Sequence, residues 1–113
     1  MVIEFLRFQV TPALREKFVQ KDDETWRPAL AKFPGFISKE VWINPQEAAE
    51  VILVIRWATR EEWKSISFEE LEKIEARFAQ QMGKTYKLIE SSEYQVRKFP
   101  QLQSQLVTKI RLS

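Results

Sequence analysis

Hydrophobic positions along the chain switch between a period of two and a period near 3.6, and the switches lay out its elements. Val2 to Val10 alternates, yet both parities carry apolar side chains: Val2, Leu6, Phe8 and Val10 on one face, Ile3 and Phe5 on the other. A strand that is apolar on both faces belongs to a sheet covered on both sides. One helical layer covers one face, so something else must cover the second.

Thr11-Pro12 then opens a helix, with a hydroxyl at the cap and proline at the first helical position. Leu14, Phe18, Trp26, Leu30 and Phe33 recur at helical spacing, with Asp22 interrupting the stripe. Pro28 lacks an amide donor and crowds the preceding turn, which predicts a helix in two pieces, about residues 12–24 and 26–33. Phe33-Pro34-Gly35-Phe36 is a tight turn into a second strand, Phe36 to Ile43. Simple alternation there puts Ile37, Val41 and Ile43 on one face and Phe36 and Trp42 on the other. After the Asn44-Pro45 turn, Val51 to Trp57 is the chain's strongest strand signal.

Two capping boxes follow, Thr59 with Glu62 and Ser67 with Glu70. The first opens a short helix around Trp63. The second opens a helix with the stripe Phe68, Leu71, Ile74, Phe78 and Met82, stopped at Gly83. Tyr86 to Ile89 and Tyr94 to Phe99 both qualify as the last strand, separated by polar Ser91-Ser92. In the tail, Leu102, Leu106 and Ile110 fall four residues apart, as in a small docking helix; an arm from Gln105 to Leu112 is the other reading. The element order is β-α-β-β-α-β, the split-βαβ arrangement.

At 113 residues the chain has length for one domain. Its 18 basic and 16 acidic side chains are interspersed, without the clustered cationic face of a nucleic-acid binder, so no nucleic-acid partner is expected. The longest aliphatic run, Val51 to Ile55, is too short to cross a bilayer, and the chain starts directly in a strand. A cytoplasmic protein with no membrane partner is the expectation. With no cysteine, thiolate chemistry is closed to it. With no histidine, it lacks the usual general base near neutral pH and the commonest transition-metal and haem ligand. No cofactor and no metal are expected. Asp22-Asp23-Glu24 reads as a solvated helix face, because a metal loop needs more oxygen ligands and a turn glycine.

The element order, the Phe33-Pro34-Gly35-Phe36 turn, and the strand from Val51 to Trp57 running into a capped helix resemble the antibiotic-biosynthesis-monooxygenase-like group of the dimeric α+β barrel superfamily. The resemblance covers roughly residues 1–99; the tail, 100–113, lies outside it and is a candidate latch across a dimer. It implies an α+β, ferredoxin-like β-α-β-β-α-β domain that pairs sheet to sheet as a homodimer, forming a dimeric α+β barrel. That pairing supplies the cover that the two-faced first strand calls for. The resemblance also implies a ligand pocket between sheet and helices or at the barrel mouth. The haem-degrading branch uses an Asn on the first strand, a Trp on the third and a helical His. Trp57 matches the Trp, but the first strand has no Asn and the chain no His, which excludes that machinery. Cofactor-free oxygenation of a phenol survives, since it asks mainly for a dry aromatic cavity and hydrogen-bond donors.

The candidate ligand-binding residues are Trp57, Trp26, Trp63 and Phe68, with core packing the commoner role for such aromatics. Arg56 and Tyr86 are the candidates for stabilising a developing oxyanion. Arg7 shares the first reading, Tyr94 the second. The competing reading of both arginines is a buried stem with a solvated head, or a pair with Glu4 or Glu40. Two function classes follow. One is a cofactor-free monooxygenase or isomerase acting on a small aromatic or apolar molecule. The other is a non-enzymatic binding or structural dimer.

Overall fold

The computed structural model describes residues 1–98, so the tail at 100–113 and the end of the expected Tyr94–Phe99 strand lie outside the described residues. Four strands form one antiparallel sheet: β1 (Val2–Val10), β2 (Phe36–Ile43), β3 (Glu50–Trp57) and β4 (Tyr86–Gln95), in the order β2-β3-β1-β4. Three α-helices join them: α1 (Arg15–Leu30), α2 (Arg60–Lys64) and α3 (Phe68–Met82). This is the ferredoxin-like α+β fold. β3 lies between β1 and β2, which splits the β1-α1-β2 unit.

The two capping boxes form as read. Thr59 Oγ1 accepts from the Glu62 amide at 3.1 Å and opens α2; Ser67 Oγ accepts from the Glu70 amide at 3.2 Å and opens α3. Thr11 makes no such cap. Pro12–Leu14 forms a turn of 3-10 helix instead, and α1 begins at Arg15.

Helix α1 is continuous, not two pieces. Pro28 falls in its last turn, so the missing amide and the crowding of one carbonyl act only where the helix already ends. Asp22 lies on the buried face of α1 with Phe18, Thr25 and Leu30, which overturns the solvated reading of that segment for this residue.

Two bulges reset what alternation alone predicts. In β2 the register against β3 shifts between Phe36 and Ser38, so Phe36 opposes Trp57 and packs with the core, on the face of Val41 and Ile43. Ile37 is left exposed. In β4 the register against β1 shifts between the Arg7–Glu90 and Phe8–Leu88 pairs, leaving Ile89 as the extra residue. β4 therefore runs unbroken through Ser91-Ser92, because pairing along β1 overrides the weak strand propensity of two serines.

The helix-facing side of the sheet packs into two clusters. Val10, Phe18, Val51, Leu53, Phe78 and Met82 form one; Val2, Leu30, Ile55, Trp57 and Ile66 form the other. Leu6 and Trp26 touch both. On the other side, Ile3, Phe5, Ile52, Val54, Trp42 and Tyr94 make an apolar face that no helix covers among the described residues. Arg7 pairs with Glu90 there and Arg56 with Glu40.

The Pro34-Gly35 turn fixes α2 against the sheet. Gly35 has φ +88°, the Phe36 amide donates to the Phe33 carbonyl at 3.3 Å, and a Cβ on Gly35 would lie 2.6 Å from Glu62 Cβ. Gly83 also has positive φ, but an added Cβ there meets nothing within 4 Å. Gly35→Ala should therefore cost about 2–3 kcal/mol, strain plus displacement of α2, against about 1 kcal/mol for Gly83→Ala. Denaturant melts of the two variants check this, and equal losses would show that α2 yields freely.

Candidate functional site

Between the two clusters the helices stand away from the sheet and enclose a cavity of about 640 Å³. Its walls are mostly aromatic and aliphatic: Phe18, Trp26 and Leu30 of α1, Leu53, Ile55 and Trp57 of β3, and Phe68, Leu71 and Phe78 of α3 among them. The rings of Phe18, Phe78 and Tyr86 meet at centroid distances of 5.1 to 5.6 Å and close one end. Phe68, 76% exposed, and Leu88, 47% exposed, are wall residues that also reach the surface, which places the mouth between α3 and β4.

The structure brings Trp26, Trp57, Trp63, Phe68 and Tyr86 to this one cavity. Trp57 is at once core and wall, since its side chain is wholly buried and still borders the space. Arg56 is not part of it. It alternates with Ile55 and Trp57 along β3, points to the other side of the sheet and pairs with Glu40. Arg7 likewise faces away and pairs with Glu90 at 2.7 Å. Tyr94 stacks edge-on against Phe5 on that same side. The Tyr86 hydroxyl donates to Glu75 of α3, and burial, then that bond, pushes the phenol above its ordinary range. It stays protonated, with its one donor committed.

The polar content of the cavity comes from residues that sequence reasoning passed over. Asp22 of α1 and Lys39 of β2 form a salt bridge at 2.5 Å, both side chains 2% exposed. Burial pushes Asp22 up and Lys39 down, and each partner opposes the shift of the other. Glu4 of β1 accepts from Trp57 Nε1 at 3.2 Å. Burial raises its pKa, against the Trp57 bond and the more distant Lys64 and Lys39. The signal for Glu4 was present: it is the one acid on the parity of Val2, Leu6, Phe8 and Val10. Asp22 left a similar trace, a charge on the helical stripe.

A family model for antibiotic biosynthesis monooxygenases matches residues 1–67. No curated protein matches the sequence. Solved structures share the fold at low identity. SnoaB, a cofactor-independent oxygenase from Streptomyces nogalater, superposes with a TM-score of 0.65 at 16% identity, covering 88% of this chain and 96% of that one. A conserved protein from Methanosarcina mazei gives 0.61 at 15%, covering 85% and 92%. Rv0793 from Mycobacterium tuberculosis gives 0.58 at 15%, covering 89% and 97%.

Because Glu4 holds its proton to higher pH in the folded than in the unfolded chain, it weakens folding increasingly as pH rises above about 4.5, through its raised pKa. Glu4→Gln keeps the acceptor for Trp57 and removes the charge. The variant should be more stable than the parent at neutral pH, by on the order of 1 kcal/mol, and lose that advantage in acid. Paired thermal melts across pH measure the difference; a destabilised variant at neutral pH would show that the carboxylate is well solvated.

Proposed function

The chain belongs to the antibiotic biosynthesis monooxygenase family, and from that membership we propose that it is a cofactor-free oxygenase of a small phenolic aromatic molecule, working as a homodimer. The observation that carries the reading is the cavity itself. It has the size of a small-molecule site, its walls are largely aromatic and aliphatic, and a few charged groups sit inside it.

The chemistry uses the electrons of the substrate. A phenol bound in the cavity loses its hydroxyl proton, and the electron pair left on the ring reduces dioxygen, forming a ring C–O bond. The resulting peroxide takes up a proton and loses water, leaving a quinone carbonyl. In sum, the phenol and dioxygen give a quinone and water. Trp26, Trp57, Trp63 and Phe68 hold the ring and exclude water, which strengthens every charge inside. The cation buried at the wall is Lys39, so it, and not Arg56, is the group that supports oxyanion charge.

The homodimer is supported by the uncovered face of the sheet. Trp42 and Tyr94 are exposed there beside half-buried Ile3, Phe5 and Ile52, and a second sheet laid against them would remove that apolar surface from water. A cytoplasmic setting belongs to the same proposal. It is supported by a chain with no cysteine to bridge. Among the described residues, no helix is long and apolar enough to cross a membrane.

Oxygen-electrode assays with hydroxylated polycyclic aromatics test the activity. Stoichiometric oxygen uptake with quinone formation in chelator-treated protein is expected; tight binding without uptake would instead make this a binding module. Phe68→Ala, at the mouth and largely outside the core, should weaken ligand binding about tenfold and leave the melting temperature nearly unchanged. A fluorescence titration beside a thermal melt reads both. Light scattering at micromolar concentration should return a dimer, and Trp42→Glu a monomer, because the added charge has no place in an apolar interface. A parent chain that is already monomeric would sink the sheet-to-sheet pairing.

A further inference from the structure

We propose that Glu4 is the general base of this site, taking the hydroxyl proton of a phenol that lies over Ile55, with Lys39 facing it from the other side. The assignment rests on the oxygenase reading of the cavity and adds to it a residue in a defined role.

Three acids border the cavity: Glu4, Asp22 and Glu75. Asp22 is held by Lys39 and serves as its counter-ion. Glu75 accepts the hydroxyl of Tyr86. Glu4 alone has a neutral indole as its side-chain partner, and forms no salt bridge among the described residues. An aliphatic side chain would pack at this position on β1 without the cost of a desolvated carboxylate. A proton acceptor inside the cavity requires the carboxylate.

The sheet register supplies the geometry. Glu4 opposes Ile55 on β3, and Ile55 opposes Lys39 on β2, so the three residues form one row across adjacent strands. Neighbouring strands are about 4.8 Å apart, which sets Glu4 and Lys39 roughly 10 Å apart at the backbone with Ile55 as the floor between them. An aromatic ring on that floor has a carboxylate at one side and an ammonium at the other. Trp57 stands in the next row and orients Glu4 through its indole N–H.

The charges around Glu4 are set by every element that packs near it. Lys39 acts from β2 and Lys64 from α2, both favouring the carboxylate. From β4 its cross-strand neighbour is Glu93, which is neutralised by Arg60 of α2. From α1 the charge at the cavity wall is Asp22, already paired, and from α3 it is Glu75, bound to Tyr86. Burial is the largest influence on Glu4 and raises its pKa toward that of the phenol it would deprotonate. In the step itself the phenol O–H bond breaks, the proton moves to a Glu4 carboxylate oxygen, and the electron pair stays on the phenolate, whose charge spreads through the ring toward Lys39 on its far side. No oxidant is needed until dioxygen reacts with the anion.

The test is infrared difference spectroscopy on the full chain with 4-nitrophenol as the probe, near neutral pH. Binding to the parent protein should convert a carboxylate band into a buried protonated carboxyl band, in step with the visible absorbance of nitrophenolate. In Glu4→Gln the probe should still bind, by tryptophan quenching, with the protonated carboxyl band gone; Glu4→Asp should give a partial signal and guards against a folding defect in the first variant. An unchanged band in Glu4→Gln, or probe bound to the parent with no protonated carboxyl, overturns the assignment. Oxygen uptake with 1-naphthol separates it from the oxygenase reading. Uptake should fall about a hundredfold or more in Glu4→Gln. Uptake that survives the substitution removes Glu4 and leaves the oxygenase standing. A protonated carboxyl band without uptake by the parent leaves Glu4 as the proton acceptor and removes the oxygenation. Failure of the parent to bind the probe overturns the assignment, and failure of the parent to take up oxygen with 1-naphthol overturns the oxygenase.

Discussion

A lysine ammonium taken out of water must meet an opposite charge or lose its proton, and Lys39 meets Asp22. Lys39 sits on the helix-facing side of β2 and Asp22 on the sheet-facing side of α1, so their bond ties the first helix to the edge of the sheet. It also keeps two charged groups in a region that hydrophobic side chains would otherwise fill. The two core clusters close up on either side, Leu6 and Trp26 packing against both, and the cavity is the space between them. A buried pair of this kind adds little to net stability compared with apolar packing. Its contribution is placement: it holds a cation inside an aromatic enclosure.

The two faces of the sheet divide the work. The helix-facing side holds the cavity, with Glu4, Asp22 and Lys39 among its charged residues. The other side carries Arg7 and Arg56 in pairs with glutamates, between apolar residues that none of the described helices covers. Strand periodicity enforces the separation, because a residue one position along a strand points to the opposite face. Arg56 and Trp57 are adjacent in the chain and lie on opposite sides of the sheet. Only one of them can touch a ligand in the cavity.

Three charged departures from the apolar pattern on the inner face gather at one place. Glu4 interrupts the inward parity of β1, Lys39 that of β2, and Asp22 the buried stripe of α1. Such breaks in otherwise consistent patterning are where function concentrates. Here they come from three elements far apart in sequence and meet around Ile55. The rings of Phe18, Phe78 and Tyr86 pack together at one end of that region, and Trp57 packs on Phe36 at the other.

The amino-acid sequence by itself determined the order of the elements, the two capped helices and the turn at Pro34-Gly35. All of these arise from interactions within a few residues: a hydroxyl and an amide three positions apart, or a glycine free to take positive φ. The aromatic residues of the cavity were legible for a similar reason, as large side chains on strands and helix faces that had to turn inward. What tertiary structure alone decided depends on partners distant along the chain. The bulges at Ile37 and Ile89 arise in pairing with β3 and β1, and they choose which face Phe36 joins and let β4 run through two serines. Pro28 ends no helix early because the chain was already leaving α1 there. Asp22 is buried because Lys39 is present to receive it, and Tyr86 is committed because Glu75 is within reach of its hydroxyl. Glu4 showed as an acid in an apolar parity, but its place beside Trp57 and across Ile55 from Lys39 follows from strand register, which no local pattern contains.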